Sequence, residues 1–136
     1  MIYGDLTHRI IGCAMEVHKI LGSGFQEVIY QRALGIEMDT QGLGFQRELK
    51  MVIFYNEIEI GTRRVDFFVE DLIMLELKAL TKLEDIHLNQ AMNYCQAYNL
   101  PVGLLINFGT KSLEFKRVYN LKHNDNQNNP IILPSY

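Results

Sequence analysis

Apolar residues at Leu6, Ile10, Ala14, Val17 and Leu21 fall three to four positions apart, the spacing of one helical face. They predict a first helix over residues 5–21, with Asp5 or Thr7 as its cap and Gly22 just past its end. Gly22-Ser23-Gly24 reads as a tight turn, and a second helix follows over residues 25–40, ending at Gly42. The period then changes. Residues that favour strands dominate 45–55, where Leu49, Val52, Ile53 and Phe54 stand out, and Asn56-Glu57 ends that run as a short turn. Further strands are predicted over 58–69, with a break at Gly61, and over 72–79. A third helix is predicted over 83–98, with Ile86, Gln90, Tyr94 and Ala97 along one side. Pro101 closes the connection to two more strands, 102–108 and 113–119.

The order is helix, helix, three antiparallel strands, helix, two strands. Its simplest arrangement is an α/β fold in which a mixed central β-sheet is flanked by helices. No internal repeat or linker divides the chain, so residues 1–122 are expected to form one domain. Residues 123–136 are rich in Asn and contain Pro130 and Pro134. An irregular tail is expected there, attached only if Ile131, Ile132 and Leu133 dock.

Composition narrows the function more than the fold. The 136 residues, 48% hydrophobic and 21% charged, suit a soluble domain that buries about two-thirds of its unfolded surface. A net charge of -3 excludes a global basic field that would attract nucleic acid. Any such binding must rest on a local basic patch or on metal ions that neutralise acidic groups. Cys13 and Cys95 lie in helical segments with no CxxC spacing, so neither a zinc site nor a disulfide framework is indicated, and reduced, buried thiols are expected. The chain does not open on a basic region followed by an apolar run, and no apolar stretch approaches about 20 residues. A cytoplasmic location is expected.

The candidate chemistry lies in Arg64-Val65-Asp66-Phe67-Phe68-Val69-Glu70-Asp71-Leu72-Ile73-Met74-Leu75-Glu76-Leu77-Lys78, where two apolar strands carry charge at positions a buried strand should not. An ionised side chain buried without a partner costs several kcal/mol or shifts its pKa until it neutralises. Glu76 and Lys78 must share a face, because side chains alternate along a strand. Asp66 joins them only in the right register. A two-residue turn at Glu70-Asp71 would put Asp66 on the opposite face, whereas a loop centred on Asp71 pairs Val69 with Ile73 and Asp66 with Glu76. A bulge would also restore the phase. One of these is expected. Given that geometry, Asp66 and Glu76, with the Leu77 carbonyl as a further ligand, suit Mg²⁺ or Mn²⁺. Lys78 would then orient a metal-activated water or stabilise charge on a phosphoryl transition state. The plainer alternative is a salt bridge from Lys78 to Asp66 or Glu76 on a solvated face.

At these residues the chain resembles the PD-(D/E)XK nuclease superfamily, whose pattern is an acidic residue on one strand and (D/E)-X-K on the next. Asp66 and Glu76-Leu77-Lys78 match that pattern. Gly24-Phe25-Gln26-Glu27-Val28-Ile29-Tyr30 is G-x-x-E-x-x-Y, and with Gln90-Ala91-Met92-Asn93-Tyr94 and Gly103-Leu104-Leu105-Ile106-Asn107-Phe108-Gly109 it is similar to the GxxExxY proteins within that superfamily. The likeness spans about residues 5–120. It implies a restriction-endonuclease-like core with Glu27 as a helix carboxylate at the site, Asp66 and Glu76 as metal ligands and Lys78 as the catalytic lysine. Gln90 and Tyr94 would border the site on a Q-x-x-x-Y helix, with Gln90 assisting. Val65 stands where the pattern has proline.

The function expected is that of a divalent-metal-dependent nuclease acting on nucleic acid, DNA ahead of RNA. With so few basic residues, a homodimer or a protein partner would help it grip a substrate. The alternative is a catalytically silent binding or regulatory module that retains the nuclease fold. Each residue also has a structural reading: Glu27 as a helix cap, Tyr30 as core packing, His87 as a surface histidine. Arg64, sharing a strand face with Asp66, would contact phosphate or neutralise that carboxylate, and Lys111, Lys116 and Arg117 would form a small basic edge.

Overall fold

The computed structural model describes residues 3–124 and 132–133. Its elements follow the predicted order as far as β5, and a sixth strand is added: α1 (Gly4–Leu21), α2 (Glu27–Thr40), β1 (Phe45–Tyr55), β2 (Ile58–Val69), β3 (Ile73–Lys78), α3 (Asp85–Ala97), β4 (Val102–Asn107), β5 (Glu114–Tyr119) and β6 (Ile132–Leu133). The strands form one mixed sheet in the order β5-β4-β3-β2-β1-β6. β3 and β4 run parallel because α3 carries the chain back between them, while the other neighbours are antiparallel.

Helices cover both faces. Ile10, Ala14 and Val17 of α1 and Tyr30, Leu34 and Met38 of α2 pack with Phe67, Leu75 and Ile106 on one side. Ala91 and Cys95 of α3 pack with Leu49, Val65 and Met74 on the other. With helices on both faces β4 is buried along its whole length, which explains its unbroken apolar run. Cys13 and Cys95 are free and buried. Among the described residues, no helix is long and apolar enough to cross a membrane.

Local chemistry fixes the helix ends. Gly22 leaves α1 at φ +69° and donates its N–H to the His18 carbonyl at 2.8 Å, a conformation that favours glycine. Thr7 is not the cap: it lies buried inside α1, donating to the Gly4 carbonyl at 3.1 Å and accepting Arg117 Nε–H at 3.0 Å. Arg117 therefore ties α1 to β5 rather than forming an open basic edge. His87 belongs to the capping box of α3, where its Nδ1 accepts the Glu84 N–H at 2.9 Å.

The β2–β3 connection sets the register. Glu70 and Asp71 both adopt left-handed conformations, with φ of 52° and 55°, and the Leu72 N–H closes the turn on the Val69 carbonyl at 3.0 Å. Leu72 stays outside the ladder, so Val69 pairs with Ile73 and Phe67 with Leu75. This is the phase that carries Asp66 to Glu76. In the tail read as irregular, Ile132 and Leu133 pair with Met51 and Lys50 as β6, and residues 125–131 and 134–136 lie outside the described residues.

Candidate active site

The β2–β3 ladder ends at Phe67 and Leu75, whereas β3 continues along β4 as far as Lys78. The two strands part there, and the backbone groups that would have bonded across the gap need other partners. The Leu77 N–H donates to Asp66 Oδ2 at 2.7 Å, and the Asp66 N–H donates to Glu76 Oε1 at 3.3 Å. Two carboxylates thus replace the missing strand pairing. Within one strand residue the N–H and C=O point the same way, so the Leu77 carbonyl also faces the fork. The Lys78 carbonyl faces β4 and accepts the Phe108 N–H at 2.8 Å.

A change of face occurs at the same level. Phe45 packs with the α1–α2 core, whereas Leu49 and Met51 pack under α3, and Glu48 between them has φ +52°. On β2, Phe67 packs on the first side and Val65 on the second, although Arg47 still pairs with Phe67 and Leu49 with Val65. A left-handed glutamate inside a strand is a strained conformation of the kind that persists where surrounding structure over-determines it. The switch decides which arginine enters the site. Arg63, not Arg64, reaches Glu76 Oε2 at 3.1 Å, with its guanidinium 5.3 Å from the centre of the Tyr94 ring on α3. Strict alternation along β2 had favoured Arg64, which is exposed.

Helix α2 brings two further groups. Glu27 is its first residue, with Gln26 at the N-cap making no side-chain cap, so the carboxylate sits in the dipole-favoured first turn. Gln31, one turn later and buried, donates its amide to Asp66 Oδ1 at 3.0 Å. Tyr30 is wholly buried and stacked on Phe108, with ring centroids 4.6 Å apart. Its hydroxyl donates to the Gly22 carbonyl at 2.6 Å and accepts the Phe25 N–H at 3.2 Å. Gly24, at φ +111°, lets the turn pass beneath that hydroxyl. The glycine and tyrosine of the G-x-x-E-x-x-Y motif therefore form a clasp that fixes where Glu27 begins its helix. Tyr30→Phe should lower stability by about 1–2 kcal/mol by orphaning the clasp, and Tyr30→Ala by about 3–5 kcal/mol. Urea unfolding of the two variants checks both values.

The three carboxyls are all shifted upward from their ordinary range. Burial, then repulsion from Asp66, pushes Glu76 up to about 7, against the pull of Arg63 and Lys78. Burial also raises Asp66, opposed by its hydrogen bonds from Leu77 and Gln31 and by Lys78 and Arg63. Glu27 keeps much of its side chain in solvent, yet partial desolvation of its carboxyl raises it, with Lys78 pulling it down and Asp66 pushing it up. Asp66 and Lys78 thus act electrostatically on both Glu27 and Glu76. Lys78 is half-buried and, among the described residues, forms no ion pair within 4 Å, so the salt bridge belongs to Arg63.

Gln90 is exposed and its side chain forms no hydrogen bond among the described residues; it lies one turn before Tyr94 on α3. The bend after Lys78 is clamped by Asn107. Its Oδ1 accepts the Leu80 and Gly109 N–H groups at 2.8 and 3.1 Å, and its amide donates to the Leu80 carbonyl and Glu114 Oε1 at 3.1 and 2.8 Å. A Cβ at Gly109 would strike the Leu80 backbone. Sequence reasoning missed Gln31 and Arg63. A polar Gln31 one turn after Glu27, beside apolar Leu34, was the available signal for the first; the second depends on the change of face.

The donor chemistry suits a hard divalent cation: two desolvated carboxylates that repel one another, with a backbone carbonyl beside them. Among the described residues, no group of three or more His, Cys, Asp or Glu side chains is gathered closely enough to hold a metal. Asp66, Glu76 and the Leu77 carbonyl are the groups that would hold it, and Glu27 stands outside that set.

Residues 4–118 match the family model described as the PD-(D/E)XK nuclease superfamily. No curated protein and no solved structure gives a significant match to the chain. The match runs from the start of α1 into β5, marks the domain as nuclease-like, and is consistent with a restriction-endonuclease-like core. Nucleases of this superfamily generally use divalent metals.

Proposed function

The chain belongs to the PD-(D/E)XK nuclease superfamily, and from that premise we propose that it is a divalent-metal-dependent nuclease of the GxxExxY group, hydrolysing phosphodiester bonds in DNA ahead of RNA. The observation that carries this reading is the fork, where Asp66 and Glu76 meet across parted strands with Lys78 beside them. When bound, Mg²⁺ or Mn²⁺ would polarise the scissile phosphate and acidify a water molecule. The chain supplies the rest. The Leu77 N–H and the Gln31 amide hold the Asp66 carboxylate in place, leaving lone pairs for a cation. Lys78 offers an ammonium free to donate to a phosphate oxygen as charge builds there. Glu27 adds negative potential at the helix edge of the site, and Gln90 assists from α3. Net acidity makes a homodimer or protein partner the source of added grip on substrate, in a cytoplasmic setting that suits two reduced thiols.

One observation favours the second reading, a silent binding module: every oxygen of Asp66 and Glu76 already accepts a hydrogen bond, and the third carboxylate does not close a cage. Calorimetric titration with Mn²⁺ separates the two. Micromolar binding that disappears in Asp66→Asn supports the nuclease, and absence of binding supports the module. Incubation with single-stranded, double-stranded and branched nucleic acids, with and without Mn²⁺, then identifies the substrate.

A further inference from the structure

The guanidinium of Arg63 is only half used. Its Nε–H and the adjacent Nη2 form one edge, the fork that grips two oxygens of a phosphate or carboxylate at once. Nη2 contacts Glu76 Oε2 at 3.1 Å, but Nε is buried and has no hydrogen-bond partner among the described residues. A bidentate pair with Glu76 would use both of its oxygens. Here Glu76 Oε1 accepts the Asp66 N–H instead. The guanidinium rests over the Tyr94 ring, which limits its travel, while 37% of the side chain remains open to solvent. It therefore borders both the acidic pair and the approach to it.

A guanidinium on Glu76 Oε2 weakens that carboxylate's hold on a divalent cation, because the two positive groups repel, and a substrate phosphate would offer the guanidinium a second anion. We propose that Arg63 is a phosphate-binding residue of this site, held on Glu76 until a cation and a phosphodiester arrive, and then transferred to a phosphate oxygen. The inference rests on the nuclease reading above and adds to it a residue outside the family pattern. The transfer exchanges one hydrogen-bond partner for another, and no covalent bond changes.

The test compares Arg63→Ala and Arg63→Lys with the wild type, using Mn²⁺ calorimetry and steady-state cleavage of duplex DNA, with urea midpoints as the check on folding. Loss of the competing guanidinium should tighten Mn²⁺ binding about fivefold in Arg63→Ala. Cleavage should fall about 100-fold in kcat/KM in the same protein. Arg63→Lys should keep wild-type Mn²⁺ affinity and recover only part of the cleavage, since an ammonium lacks the planar fork. Those opposed changes are what a merely structural role would not produce. Parallel loss of Mn²⁺ affinity and cleavage in Arg63→Ala would show that Arg63 only holds Glu76 in place, and would overturn the inference. So would a variant matching the wild type in both, or, should the alanine protein fail to fold, full cleavage by Arg63→Lys. A wild type that neither binds Mn²⁺ nor cleaves overturns the nuclease reading, and this inference with it.

Discussion

Replacing Lys78 by alanine should lower Mg²⁺- or Mn²⁺-dependent cleavage by about 100- to 1,000-fold while leaving the protein folded. The two halves of that expectation come from the same geometry. Lys78 makes no ion pair within 4 Å among the described residues, so no direct contact of its ammonium holds the fold together. Its position is instead secured through the backbone, by the β4 ladder, the Phe108 N–H and the Asn107 clamp on Leu80. Its charge nonetheless lowers the pKa values of Glu27, Asp66 and Glu76, so its removal leaves three acids harder to ionise. A half-buried ammonium held beside acids without touching them would be free to meet a substrate oxygen. Cleavage assays beside denaturation curves check both halves, and full cleavage by the alanine protein would remove Lys78 from the mechanism.

The second large effect is on stability against pH. The Glu76 carboxyl titrates near 4.5 when unperturbed and is pushed up to about 7 in the fold, first by burial and then by Asp66. Below pH 4 it is protonated in both states and contributes nothing. As pH rises from 4.5 through 7, the unfolded chain ionises freely while the folded protein resists, so stability falls. By pH 8 the accumulated loss is up to about 3 kcal/mol, with the raised Asp66 and Glu27 acting in the same direction. Metal-free protein should thus be more stable at pH 5.5 than at pH 8. Glu76→Gln should flatten that dependence and raise the melting temperature at pH 8. Mn²⁺ should restore stability to the wild type at pH 8 and have little effect on Glu76→Gln. Calorimetric melts across pH, with and without Mn²⁺, measure all three. A wild type equally stable at pH 5.5 and 8 would mean that Glu76 is not held in the strained, desolvated state described.

Most of the architecture was legible in the chain. The 3.6-residue rhythm of α1, the apolar run of β4 and the turn at Glu70-Asp71 each reflect local preferences that one stretch of sequence carries alone. Gly24 and Tyr30 were legible as a motif but not as a clasp, because the Tyr30 hydroxyl meets the carbonyl of Gly22 and the N–H of Phe25 only once the loop is folded back. His87 read as a surface group because its cap partner, Glu84, is itself an ordinary surface residue.

What the sequence by itself determined is the element order from α1 to β5, the α/β class and the presence of Asp66, Glu76 and Lys78 on adjoining strands. Those follow from periodicity and spacing, which are properties of neighbours in the chain. Only the tertiary structure decided that β2 and β3 part at this level, that Asp66 and Glu76 then satisfy the backbone left behind, and that the change of face opposite Glu48 turns Arg63 rather than Arg64 onto Glu76. Where paired strands separate, and on which side each residue lands afterwards, is set by the helices packed on the two faces and by the obligation to pair every buried N–H, and neither is written in any short stretch of the chain.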